Sequence, residues 1–248
     1  MKIVVIGGTG LIGRQVIERL TEHGHNAVAA APSTGVDTIA GTGLSEAFAG
    51  ADVVVDVSNS PDFSDDAVMD FFRTSTTNVL AAEKEAGVGH HVALSIVGIE
   101  RMLEAGYFRA KQAQERLIRS SGVPYSIVHA TQFFEFARGI GDSATDGDIV
   151  RLPSAPVQPM ASSEVAAAVA KTAAAAPLDG DREIGGPERF GLDEFVRRAL
   201  RFFGDPREVV ADEEAGYFGG HPGPDTLVPG PGADLGTIRF AEWLEAQR

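Results

Sequence analysis

The 248-residue chain contains no cysteine, which excludes disulfides, thiolate metal sites and thiol catalysis together. Positive charge is scarce as well: 21 Lys and Arg face 35 Asp and Glu, a formal net charge of -14. No Lys/Arg run offsets that balance, and an acidic surface repels phosphate backbones, so nucleic acid is not an expected partner. Long apolar runs are missing too. The opening "MKIVVIGGTG" is broken by glycine after six residues, which suits a buried strand and neither a signal peptide nor a membrane span. A cytoplasmic protein with no membrane partner is the expectation. No His/carboxylate cluster has metal-ligand spacing, so no metal is expected.

What is present is an ordinary globular balance, 44% hydrophobic and 23% charged, sufficient for a substantial core. Up to about residue 142, short β-branched runs ("KIVVIG", "DVVVDVS", "HHVALSIVG", "YSIVHA") alternate with helical stretches. Non-alternating apolar runs of this length point to strands buried on both faces, and strand-helix alternation to a doubly wound parallel α/β sheet. Gly24, Gly87 and Gly122 stand where three of the helices should close. Beyond residue 142 the texture changes to short strands, proline-rich loops and a capped helix, "SSEVAAAVAKTAAAAP". The reading is a domain over 1–142 with a smaller substrate-binding lobe over 143–248, packed on it and not independent. The Gly/Pro-rich tail should wrap the surface before Trp243 docks a last helix.

"IGGTGLIGRQVIERL" follows the first strand and opens the first helix, with Gly7, Gly10 and Gly13 spaced G-x-x-G-x-x-G and Thr9 inside the loop. Such a loop turns tightly, lets the backbone approach a pyrophosphate, and ends on a helix N-terminus that offers N–H donors. An NAD site usually carries an acid near the end of the second strand. Here that place reads "AAAPSTGVD", with Ser33 and Thr34 where a carboxylate would sit and Asp37 falling late. Hydroxyls at Ser33 and Thr34, with Arg14 beyond the third glycine, offer a receptor for a 2′-phosphate. NADP is therefore favoured over NAD, although Arg14 reads equally well as an exposed helix residue.

Ser95 ends the fourth strand, at the sheet edge where doubly wound folds bind ligands. Tyr107 and Lys111 follow, four residues apart and so on one helix face. Carbonyl reduction needs a proton donor while hydride arrives from a nicotinamide. A lysine one turn away, together with an oxidised nicotinamide, lowers a tyrosine pKa from its reference near 10, and a serine hydroxyl orients the carbonyl. His90 and His91 start a strand and read as structural. Phe133, Phe134 and Phe136 divide between core and pocket wall, and Asp65-Asp66 reads as a helix N-terminal pair.

"GGTGLIG", the Ser95-to-Tyr107 spacing and "YFRAK" as Y-x-x-x-K resemble the short-chain dehydrogenase/reductase superfamily. "GGTGLIGRQV", "ALSIVG", "YFRAKQAQERLI" and "PYSIVHATQFFEF" are most similar to its atypical, NmrA-like NAD(P)H-binding group. The resemblance implies a Rossmann-type fold, with Gly7, Thr9, Gly10, Leu11, Ile12 and Gly13 on the pyrophosphate and Ser58 and Asn59 along the cofactor. It also places Ala130, Thr131, Gln132 and Phe133 beside the nicotinamide. Ser95, Tyr107 and Lys111 would be catalytic, Lys111 also holding the ribose. His129-Ala130 stands where relatives often have Arg-Pro, a departure that bears on the shape of that loop; His129 itself reads as a strand-end packing residue or a cofactor contact. The implied activity is an NAD(P)H-dependent oxidoreductase acting on a carbonyl or quinone of a small, fairly apolar molecule, as a monomer or homodimer. Two alternatives stay open: a dinucleotide-binding redox sensor without turnover, and an epimerase or dehydratase of sugar nucleotides.

Overall fold

The computed structural model describes residues 1–248. Five strands alternate with helices along the first part of the chain: β1 Lys2–Ile6, α1 Leu11–Glu22, β2 Asn26–Ala30, α2 Leu44–Phe48, β3 Val53–Asp56, α3 Asp65–Ala86, β4 His90–Ile96, α4 Gly106–Ser120 and β5 Tyr125–Ala130. The later elements are α5 Ala137–Ser143, β6 Thr145–Asp146, β7 Ile149–Leu152, β8 Pro156–Val157, α6 Ser162–Ala173, β9 Gly180–Gly185, β10 Phe190–Gly191, α7 Leu192–Phe202, β11 Glu208–Ala211, β12 Asp234–Leu235 and α8 Phe240–Glu245. Seven strands form one sheet in the order β12-β9-β5-β4-β3-β1-β2, every neighbouring pair parallel. This is a Rossmann-like α/β fold.

The apolar runs explain the layering. In β1, Ile3 and Val5 join a core with Val16 and Leu20 of α1 and Val165 and Val169 of α6. Val4 and Ile6 point the other way, to Leu44 and Phe48 of α2 and Val79 of α3. A sheet covered by helices on both faces has no use for polar alternation, which is why the strands read as continuous β-branched runs.

The domain boundary expected at residue 142 does not divide the sheet. The chain leaves at α5, but α6 packs back on α1 and β9 pairs with β5, Ser126 opposite Gly180. The physical reason is burial: without β9 and α6, β5 would be a bare edge strand and the outer face of α1 would lie open. The lobe consists instead of α5 with β6–β8, β10, α7, β11 and α8, around an aromatic centre of Phe134, Phe195 and Phe240, while β12 rejoins the main sheet beside β9. Trp243 of α8 docks there, 5.7 Å from Phe134 between ring centroids.

The strand order reverses between β1 and its two neighbours, β2 and β3. A crevice forms at such a switch point, beyond the carboxyl ends of the strands, and the lobe closes its far side.

Candidate active site

One large cleft of about 1000 Å³ occupies that crevice. Its floor is the glycine loop: Gly7, Thr9, Gly10, Leu11, Ile12 and Gly13 all line it. Gly7 holds φ +75°, and a Cβ on Gly13 would meet the Gly7 carbonyl oxygen at 2.3 Å, so a side chain at either position is resisted. No side chain caps α1 at Gly10, which leaves the first N–H groups of that helix as donors at the cleft floor. Ser58 and Asn59 line the wall beside it, and Ala130, Thr131, Gln132 and Phe133 the wall beyond β5. Gln132 Oε1 is buried there with no hydrogen-bond partner, an acceptor suited to a carboxamide. A loop with no space for a Cβ, uncapped helix donors and this orphaned acceptor together fit a nicotinamide dinucleotide.

The adenosine end departs from expectation. Ser33, Thr34 and Arg14 are absent from the lining, whereas Asp37 is part of it. The Thr34 hydroxyl is consumed locally by Ala29 and Ala31, Ser33 is exposed on a turn, and Arg14 lies exposed on α1 with Nε 3.3 Å from the Gly10 carbonyl. The cause is a reversal after β2. A short 3-10 turn over Pro32–Thr34 ends at left-handed Gly35, and the Val36 N–H then donates to the Ala31 carbonyl at 3.0 Å. Asp37 is thereby returned to the strand end, and its Oδ1 accepts from the N–H groups of Ile39 and Ala40. Counting residues from the glycine loop placed it too late because the chain doubles back.

At the opposite end α4 presents one face to the cleft. Tyr107 and Lys111 both line it. Tyr107 is half-buried against Phe63 and Phe72, 5.6 and 6.0 Å between ring centroids. Lys111 is buried; its Nζ donates to the Leu94 carbonyl at 2.9 Å and to Gln114 Oε1, and lies 4.5 Å over the Phe72 ring. Gln114 in turn donates to buried Asp56 at 3.0 Å, whose other oxygen accepts the Ser58 hydroxyl at 2.6 Å. Burial brings the Lys111 ammonium down to about 8 against the opposing pull of Asp56 and Glu115. Burial also pushes the Tyr107 phenol up to about 12, offset only in part by a hydrogen bond with Asn59. The lowering of Tyr107 expected from sequence needs an oxidised nicotinamide beside Lys111. In this structure the amine is turned inward, its donors engaged by Leu94 and Gln114, and the phenol stays protonated.

Ser95 lines the cleft at the end of β4, yet its hydroxyl donates to Glu115 Oε1 at 2.5 Å. His129 shares that oxygen through Nε2 at 2.7 Å, while Arg119 reaches Oε2 at 3.1 Å. Burial works to raise the Glu115 carboxyl, but these three partners hold it below the ordinary carboxylate range. His129, read as a strand-end packing residue or a cofactor contact, is buried at the end of β5 with its ring held by Glu115, and it is not part of the cleft lining. His90 and His91 are buried structural groups, bonded to Ser126 and Glu83.

The cleft mouth is aromatic. Phe63 from the loop after β3 and Phe218 from the lobe lie 6.4 Å apart between centroids, and Phe133 stacks on Phe136 at 5.0 Å. Phe134 goes to the lobe core instead. Phe218 holds φ +48° in a two-residue turn closed by Tyr217 and Gly220, a strained backbone for a bulky residue.

Residues 7–176, more than half of the chain, match the family model described as NAD(P)H-binding. The chain belongs to this NAD(P)H-binding family. The resemblance to the atypical short-chain dehydrogenase/reductase, NmrA-like group is borne out with it. A reductase of Streptomyces griseus, (4-alkanoyl-5-oxo-2,5-dihydrofuran-3-yl)methyl phosphate reductase, is 28% identical over 220 residues, covering 82% of this chain and 74% of the relative. An NADPH-dependent quinone oxidoreductase of Escherichia coli, solved with NADPH, superposes with a TM-score of 0.66 at 18% identity, over 85% of this chain and 77% of the other. A UDP-glucose 4-epimerase of Thermus thermophilus, solved with NAD, gives 0.67 at 16%, over 100% and 93%. The family membership and the reductase relative support an NAD(P)H-dependent oxidoreductase; no helix is long and apolar enough to cross a membrane.

Sequence reading missed Glu115, Gln114, Asp56 and the aromatic pair Phe63 and Phe218. A signal for two of them existed: Glu115 follows Lys111 by four residues on a face that otherwise carries Phe108 and Ile118, and charge on a buried face needs partners. Asp56 ends a fully buried strand in the same way.

Proposed function

We propose that the protein reduces a carbonyl or quinone of a small, largely apolar molecule with NAD(P)H, using Tyr107 as acid, Lys111 as ribose anchor and Ser95 beside the carbonyl. The observation that carries this is the placement of Tyr107 and Lys111 on one face of α4, opening into the same cleft as the glycine loop. When bound, the dinucleotide supplies hydride. Tyr107, kept protonated by burial, gives its phenolic proton to the carbonyl oxygen as charge develops there. Lys111 sits where its ammonium lowers the cost of the resulting phenolate, once a ribose draws it from Leu94.

Lining chemistry narrows the substrate. Lys111 and Asp37 are the two charged side chains in the lining, and the mouth is Phe63, Phe133, Phe136, Tyr217 and Phe218. A phosphoryl group of the kind in the Streptomyces relative's substrate would find no guanidinium there, so an uncharged, flat molecule suits the walls. The adenosine end supports NADH over NADPH, because Asp37 repels a 2′-phosphate and accepts ribose hydroxyls.

The test is a panel of ketones, quinones and aromatic dyes with each dinucleotide, read as loss of reduced nicotinamide absorbance. Turnover should fall by roughly 10²-fold or more in Tyr107→Phe, with dinucleotide affinity unchanged. Absence of turnover across the panel, or full activity in the variant, rejects the reading.

A further inference from the structure

A carbonyl under reduction is best held by more than one hydrogen-bond donor, and the Ser95 hydroxyl is not free to be one of them. Its proton goes to Glu115 Oε1 at 2.5 Å, and His129 and Arg119 help to hold that carboxylate in its charged form. A hydroxyl engaged by a charged, buried acceptor is not given up to a neutral carbonyl oxygen. The lobe supplies another donor. Tyr217 lines the same cleft, its ring seated in the lobe core with Met102 and Leu227 and edge-on to Phe218 at 4.8 Å between centroids. No protein group accepts the Tyr217 proton: even Gln132 Oε1, on the side chain beside it, is without a hydrogen-bond partner.

The turn that carries Tyr217 is fastened to the entry of α4. Tyr217 and Gly220 close it with paired backbone hydrogen bonds of 2.7 and 3.1 Å. Gly220 packs so tightly on the segment before α4 that a Cβ would meet Met102 Cγ at 2.5 Å, and the His221 N–H donates to Glu104 Oε1 at 3.1 Å. Residues 102–105 lead directly into the first turn of α4, where Tyr107 lies, so one piece of structure holds both phenols. Burial pushes the Tyr217 phenol well above its ordinary value; the Gln132 side chain opposes this in part, and Tyr107 adds to it. Both hydroxyls therefore keep their protons at neutral pH. We propose that Tyr217 is a second catalytic donor, its hydroxyl hydrogen-bonded to the substrate oxygen that Tyr107 protonates. The carbonyl carbon takes hydride with its electron pair, the π pair moves to oxygen, and the Tyr107 proton completes the new O–H bond. Tyr217 keeps its own proton, and its hydrogen bond strengthens as that oxygen gains charge.

This proposal rests on the reductase reading, and substitutions at one position separate the two. Tyr217→Phe keeps the ring and its packing. It should bind dinucleotide as the wild type does and lose roughly 10²-fold in kcat with KM little changed, because the missing bond matters most in the transition state. Ser95→Ala should lose less. A fluorinated tyrosine placed at 217 alone is a stronger donor of nearly equal size that burial still keeps protonated, and it should speed hydride transfer in a single turnover. A purely structural role would not respond to the acidity of the phenol. Wild-type kcat in Tyr217→Phe, a loss confined to KM, a larger loss in Ser95→Ala, or hydride transfer indifferent to fluorination overturns the assignment while leaving the reductase intact. A wild type that turns nothing over removes the reductase reading and the second donor with it.

Discussion

In the proposed reading, cofactor choice turns on one carboxylate, that of Asp37. Its Oδ1 is committed to the backbone of Ile39 and Ala40, which fixes the group at the cleft edge with its second oxygen available. A ribose diol can donate to such an oxygen, whereas a 2′-phosphate meets like charge. Asp37→Ser should therefore shift the ratio of NADPH to NADH affinity upward by roughly tenfold, equivalent to about 1.4 kcal/mol. Fluorescence titration of each reduced dinucleotide measures it, and an unchanged ratio rejects the assignment. No position count could have located this residue. Gly35 and the Val36–Ala31 hydrogen bond reverse the chain, and a reversal is a three-dimensional event.

Helix α4 brings Tyr107, Lys111, Gln114 and Glu115 to the cleft and the sheet because i, i+4 and i+7/8 share one side. The Tyr107–Lys111 relation was legible from spacing alone. The orientation of Lys111 was not, because it depends on a carbonyl from β4 and an acid from β3. A second polar device joins α3 to β4: buried His91 and Glu83 meet at 2.7 Å, both side chains fully enclosed. Burial works to lower the His91 pKa, but Glu83 outweighs it, aided by Asp56 and opposed by Lys111, and the net shift is upward. A histidine raised on folding stabilises fully below its unfolded value near 6.5, and the contribution disappears as pH climbs through the higher folded value. The stability difference between wild type and His91→Gln should thus be largest at acid pH and shrink as the solution becomes alkaline. Urea unfolding across the range tests the sign; a difference that grows with pH contradicts it. Glu83→Ala, which leaves the imidazole alone in the core, should cost about 3 kcal/mol at neutral pH.

At the scale of the whole molecule, the parallel sheet was readable from the chain and its boundary was not. "KIVVIG" and "DVVVDVS" announced strands covered on both faces, and Ile3 and Val4 do point into opposite cores. The change of composition near residue 142 suggested a domain edge, but composition records where the chain leaves a layer and is silent on whether it returns. Both α6, rich in alanine, and β9 come back into the first layer, α6 packing on α1 and β9 pairing with β5. Phe63 and Phe218, distant in sequence, meet over Tyr107 for the same reason: only the closed fold brings the lobe above the cleft. A chain of residues 1–142 alone should consequently fail to fold cooperatively. It would expose the whole β5 edge that β9 covers, from Ser126 to Ala130, together with apolar α1 surface that α6 buries at Val165, Ala166 and Val169. An unpaired edge beside an uncovered apolar face favours association over a defined monomer. Circular dichroism with thermal melting should show no sharp transition for the truncated chain and a cooperative one for the full chain. A sharp melt together with dinucleotide binding by residues 1–142 would restore the simpler boundary and remove α6 and β9 from the folding unit.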